Sequence, residues 1–199
     1  SVGINGGGSL TVTAGSGLTS NNRDTTAWRV NPPTFDSGFT IELDARVLSQ
    51  ATGTAGSNGA FQVVASAEGT RTSAVLLLGE NSVGWGNDGE LLGTFEDQDQ
   101  PHVYRITQMP GADEFYVWRD DVLLNPGGLP LSSGVINVPA AQMYFGDGSS
   151  RTLGDTVVDY FRFTPGAFAP LAPATDLGLT RRVSIGADRI GIEGDGQIF

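Results

Sequence analysis

Residues Glu114–Asp121, EFYVWRDD, place three aromatic rings within four positions and close on Arg119, Asp120 and Asp121. An uncovered indole or phenol ring stacks on the apolar C–H face of a sugar, while neighbouring Arg, Asn or Asp side chains take its hydroxyls. In a strand, successive side chains point to opposite faces, so Phe115 and Val117 share one face and Tyr116 and Trp118 the other. With Phe115 and Val117 in a core, Tyr116 and Trp118 form a shelf in water, and Arg105 from the preceding apolar run is its hydrogen-bonding neighbour. Trp85 is a second candidate: in NSVGWGNDGE it is flanked by glycines and followed by Asn87 and Asp88, so a loop could hold its ring toward a ligand. The competing reading for each ring is packing over the edges of the fold. Trp28 alternates with Val30 in TAWRV and reads as core.

Other chemistries are restricted by what the chain lacks. There is no cysteine, which excludes disulfides, thiolate metal sites and a cysteine nucleophile. His102 is the single histidine, so a zinc site or a Ser-His-Asp triad would have to be built on it alone. Twenty-two acids face eleven arginines and no lysine, a net charge of −11 that argues against nucleic acid and anionic membranes as partners. No apolar run approaches the ~20 residues of a membrane-spanning helix, so membrane insertion is not expected.

The elements that must position these residues are strands. Gly 29 and Pro 10, with many Val, Ile, Thr and Phe, favour short strands joined by turns. Strand-like runs recur at 9–15, 27–31, 39–49, 60–69, 73–86, 102–108, 114–121, 140–148 and 156–165, the pattern of an antiparallel two-sheet β-sandwich. In TIELDARV, Ile41, Leu43, Ala45 and Val47 alternate with Glu42, Asp44 and Arg46, giving one core face and one wet face. In HVYRIT, His102, Tyr104 and Ile106 oppose Val103, Arg105 and Thr107, which turns Arg105 toward solvent. The Ala/Pro-rich stretch 169–178 reads as a linker or extended wrap. The pairs Val183/Ile185 and Ile190/Ile192 around Gly-Ala-Asp then predict a small hairpin, too poor in core residues to stand alone. The domain organisation expected is a sandwich over 1–168 and a linker with hairpin over 169–199.

The strand order, with GFTIELDARV, PHVYRITQ, EFYVWRDDVLL and VVDYFRF, resembles the concanavalin A-like jelly roll, especially the laminin-G-like modules of bacterial extracellular proteins. HVYRITQMPGADEFYVWRDDVLL is similar to the hairpin such modules carry, with Asp120–Asp121 standing where Asp–Gly is usual. The family includes lectins, carbohydrate-binding modules, adhesins, glycoside hydrolases and polysaccharide lyases, so the fold leaves the function open. The resemblance implies a secreted or cell-surface bacterial protein. It also places Asp159, in VVDYFRF, at the position of a calcium-liganding aspartate of jelly-roll glucanases. Calcium takes six to eight oxygens, and INGGGS together with Asp147 and Asp155 in acidic turns would supply more of them.

Two catalytic readings are weaker. ELD at 42–44 is similar to part of the family's Glu-x-Asp-x-x-Glu strand, but Ala45, Arg46 and Val47 follow and the final glutamate is missing. Retaining hydrolysis needs two carboxyls ~5 Å apart. A jelly-roll lyase would need an Arg, Gln, His and Tyr in one groove; Arg105, Gln62, His102 and Tyr104 supply the types, but Arg105 points away from the other strand-mates. The expectation is therefore a non-catalytic module binding polysaccharide through Tyr116, Trp118, Trp85, Arg105 and Asn87, with structural calcium at Asp159, Asp147 and Asp155. The alternatives are a structural subunit that self-associates through residues 170–199, as in a surface layer or filament, and a glycan-active hydrolase or lyase.

Overall fold

Alternation of apolar and polar residues builds two facing sheets. The computed structural model describes residues 2–4, 10–13, 35–50, 59–66, 73–86, 89–134, 142–146, 154–170, 182–186 and 189–193. The strands are β1 (Val2–Ile4), β2 (Leu10–Thr13), β3 (Phe39–Gln50), β4 (Phe61–Ser66), β5 (Ser73–Leu78), β6 (Ser82–Trp85) and β7 (Glu90–Thr94). They continue with β8 (His102–Gln108), β9 (Phe115–Arg119), β10 (Val122–Leu123), β11 (Gln142–Gly146) and β12 (Gly154–Pro165), then β13 (Arg182–Gly186) and β14 (Arg189–Glu193). One sheet has the order β1-β2-β12-β3-β8-β9-β10, the second β11-β4-β5-β6-β7, and β13-β14 form a separate pair. The chain is a two-sheet antiparallel β-sandwich, as its sequence predicts.

The core lies between the two large sheets. Phe39, Ile41 and Leu43 of β3 and Phe115 and Val117 of β9 meet Phe61 and Val63 of β4 and Leu76 and Leu78 of β5, all fully buried. The second sheet departs from simple alternation. Its outward residues Val64, Val75 and Leu77 form a further buried cluster, so β4 and β5 are buried on both faces. The continuous apolar runs FQVVAS and SAVLLL carry that signature.

Two local features shape the first sheet. Asp120 and Asp121 both have positive φ, 49° and 64°, and Arg119 pairs with Val122 across them. This is a two-residue type I′ turn, whose twist suits a hairpin and which Asp tolerates better than most residues. On β12 the register slips between Val158, opposite Ala45, and Tyr160, opposite Asp44, which leaves Asp159 as a bulge residue. The C-terminal hairpin pairs Val183 with Ile192 and Ile185 with Ile190, the register its sequence implies. Among the described residues, no helix is long and apolar enough to cross a membrane.

Candidate functional site

Residues directly opposite in antiparallel strands project from the same face, so register alone places side chains in rows. On the outer face of the seven-stranded sheet one row runs Arg162, Glu42, Arg105, Trp118, Leu123 across β12, β3, β8, β9 and β10. Beside it runs Thr164, Thr40, Thr107, Tyr116. A third row holds Tyr160, Asp44 and Val103. Phe115 and Val117 are buried while Tyr116 and Trp118 are half-buried, the parity read from EFYVWRDD. The Tyr116 and Trp118 rings lie 6.0 Å apart at 30° to each other, a shared shelf beside Arg105.

Glu42 is the anchor of the middle row. Its side chain is only 6% exposed, although its alternation predicts a wet position. One carboxylate oxygen accepts both Nε (2.9 Å) and Nη2 (2.6 Å) of Arg105. The other accepts the Tyr160 hydroxyl (2.8 Å) and Nη2 of Arg162. Burial pushes the Glu42 carboxyl up, but the hydrogen bonds from Arg105, Tyr160 and Arg162 outweigh it and hold the group below its ordinary range. Burial, with the Glu42 hydrogen bond and charge, pushes the Tyr160 phenol up to about 12. An ionised carboxylate thus fixes the guanidinium of Arg105 through Nε and Nη2.

A cleft of ≈ 560 Å³ opens over this row, lined by Thr40, Glu42, Arg105, Asp121, Arg162 and, at one end, Phe168. The chain reaches that end by design of its backbone. After Pro165, Gly166 adopts a φ of +94°, which L side chains rarely do. Its N–H bonds Gly38 O at 2.9 Å. The Thr40 hydroxyl donates to Gly166 O (2.8 Å) and accepts the Phe168 N–H (2.8 Å). Phe168 is left 57% exposed at the rim.

Several expectations are corrected. Trp85 does not present its ring to solvent: it is 3% exposed, packs 5.3 Å from the Phe115 ring and donates Nε1–H to Ser132 O at 2.7 Å. Gly84 lies within β6, and Gly86, at a φ of 76°, allows the turn after it rather than a loop display. Asn87 lies outside the described residues. The lyase set is dispersed: Gln62 is buried in the second sheet, and the Tyr104 hydroxyl is buried against Gln98 Oε1 at 2.5 Å, its pKa pushed up to about 12 mainly by burial. His102 does share the inward parity of Tyr104, since it lies opposite the buried Ala45, but at the strand end its ring meets charged groups rather than the apolar core. Its Nδ1 meets Asp120 Oδ2 at 2.7 Å, and its Nε2 lies 2.7 Å from Arg119 Nη2. With Asp97, which Arg119 also contacts, these side chains clamp the loop before β8 to the β9–β10 turn.

The metal expectation draws no support from the described residues. Asp159 is exposed on its bulge, Asp155 accepts the Ser49 hydroxyl at 3.1 Å, and no three carboxylates or imidazoles converge among the described residues. Asp147 and INGGGS include residues outside that set. Asp44 has a buried Oδ1 without a hydrogen-bond partner. Burial, then the charges of Asp159 and Asp120, push its carboxyl above the ordinary range. Sequence reasoning missed Arg162, Tyr160 and Phe168, because what brings them to Glu42 and Thr40 is the pairing of β12 with β3, more than a hundred residues apart.

No family model and no curated protein matches the chain. Among solved structures it is similar to the cellulose-induced protein Cip1, at 10% identity over 82% of this chain and 84% of that one, with a TM-score of 0.53. A conserved carbohydrate esterase from the Shiga toxin-encoding bacteriophage phi24B matches at 12% identity over 84% and 87%, TM-score 0.51. Lectin I-B4 from Griffonia simplicifolia matches at 13% identity over 82% and 89%, TM-score 0.45. At such identities the likeness establishes the fold alone, a jelly-roll β-sandwich.

Proposed function

We propose that this chain is a non-catalytic, extracellular carbohydrate-binding module of the laminin-G-like kind, and that it binds polysaccharide on the outer face of the seven-stranded sheet. The observation that carries the reading is the paired, half-buried Tyr116 and Trp118 rings, 6.0 Å apart, in register with Thr107 and Arg105. Half-buried aromatic faces beside fixed hydrogen-bonding groups match what a sugar offers, an apolar ring face edged by hydroxyls. Cip1 and the phage carbohydrate esterase, by their names, belong to carbohydrate biology, which is consistent with this reading. Catalysis is disfavoured because Glu42 is already held by three donors.

A polysaccharide pull-down or glycan array with the whole chain, Tyr116→Ala and Trp118→Ala tests it. Retention on at least one glycan that both substitutions abolish supports the reading; retention that survives both rejects the shelf. A second reading, self-association through residues 170–199, is favoured by the separate pairing of β13 with β14, since a two-stranded sheet has two open edges. A mass in solution that is unchanged by removal of those residues would reject it.

A further inference from the structure

The cleft is charge-balanced. Glu42 and Asp121 oppose Arg105 and Arg162 along its lining, and the chain around it carries a net charge of −11. Neither the lining nor the long-range field favours an anion. The sheet face that carries the cleft extends beyond it: Trp118 on β9 and Arg162 on β12 are three strand spacings apart in one row, ~14 Å at the usual inter-strand distance. Phe168 is held above Thr40, two spacings from Tyr116 in the adjacent row, ~10 Å. A single pyranose does not bridge that interval.

Phe168 has the marks of a built contact. One hydrogen bond from its own N–H and two at the left-handed Gly166 fix the chain at the rim, and its ring lies against Gly166, where a Cβ would meet it at 2.8 Å, yet the residue stays 57% exposed. The contact with Gly166 covers only part of the ring, and the remainder is apolar surface left in water in the unliganded chain. The cost is recovered when a ligand covers the ring.

Building on the carbohydrate reading, we propose that Phe168 forms a second stacking subsite, and that the face between it and Tyr116–Trp118 takes an extended, uncharged oligosaccharide longer than a disaccharide. One end of the ligand lies on the Tyr116–Trp118 shelf, its middle passes Arg105, and its other end lies against Phe168. Affinity therefore depends on chain length, and Phe168 supplies the part of it that long ligands gain over short ones.

The test is calorimetric titration of the whole chain with β-1,4-linked glucose and mannose oligomers of one to six units, and with oligogalacturonate as the acidic counterpart. Wild-type affinity is expected to climb at least tenfold from the disaccharide to the longer uncharged oligomers. Phe168→Ala removes that climb and changes disaccharide binding less than twofold, while Trp118→Ala weakens every length. The side chain is exposed, so Phe168→Ala is expected to leave the melting temperature in place. The inference is overturned if Phe168→Ala weakens all lengths alike or none, if affinity does not grow with length, or if only the acidic oligomer binds. A wild type that binds neither uncharged series overturns it too, and the broader carbohydrate reading is then judged separately by whether Trp118→Ala abolishes retention on the glycan panel.

Discussion

Glu42→Gln tests the buried anchor of the face. The wild-type carboxylate takes two bonds from Arg105 and one each from Tyr160 and Arg162. Glutamine keeps one acceptor oxygen and turns an amide N–H₂ toward a guanidinium. The Arg105 pair is 20% and 6% exposed, so it counts as charge-assisted and largely desolvated, about 1.5–3 kcal/mol. Arg162 is 68% exposed and adds about 0–1 kcal/mol. Tyr160 can still donate to the remaining oxygen. The loss expected at pH 7 is therefore about 1.5–4 kcal/mol, a fall in melting temperature of about 3–16 °C for a domain of this size. Thermal unfolding followed by circular dichroism measures it. The pH dependence supplies a second check. Glu42 titrates lower in the folded chain than its ordinary 4.5, so its contribution is complete above that value and is lost as pH falls through the lowered one. The gap between wild type and variant should narrow from pH 5 toward pH 3. A loss under 2 °C at pH 7, or a gap that widens in acid, would refute the reasoning.

Three further outcomes follow from single residues. Asp121→Gly should stabilise by about 1 kcal/mol, because the type I′ turn holds position 121 at φ 64° and glycine meets no Cβ penalty there; chemical denaturation reads the change, and destabilisation would contradict the turn assignment. Asn125→Ala should cost about 2–4 kcal/mol in the same assay, since Asn125 Oδ1 accepts the Val117 N–H (2.8 Å) and Nδ2 donates to Phe115 O (2.9 Å) and Leu129 O (2.8 Å), all lost at a buried site. Asp44→Asn should raise the melting temperature at pH 7, with the gain fading in acid, because a carboxyl whose folded pKa is raised weakens the fold once ionised; an unchanged or lower value at pH 7 would contradict this.

Strand periodicity made β3, β8 and β9 legible: the inward sets Ile41/Leu43/Ala45, Tyr104/Ile106 and Phe115/Val117 all lie in the core. It also placed Tyr116 and Trp118 on the opposite face. Parity does not tell which polar face is covered, however. Glu42 reads as wet from its neighbours on β3 and is buried by Tyr160 and Arg162 of β12. Trp85 reads as displayed because glycine surrounds it, and is buried because Phe115 and the Ser132 carbonyl approach from distant segments. His102 keeps the inward parity read from its strand, but at the strand end its neighbours are charged loop and turn residues rather than the apolar core. Phe168 falls in an Ala/Pro-rich stretch with no periodic signal at all; its place is set by the Thr40 hydroxyl.

Binding isotherms of the wild type and Trp118→Ala on one glycan retained in the panel test the carbohydrate reading most directly. A loss of at least tenfold in affinity, ~1.4 kcal/mol, with the melting temperature unchanged, is the expected result. Equal affinity of the two proteins would contradict the account.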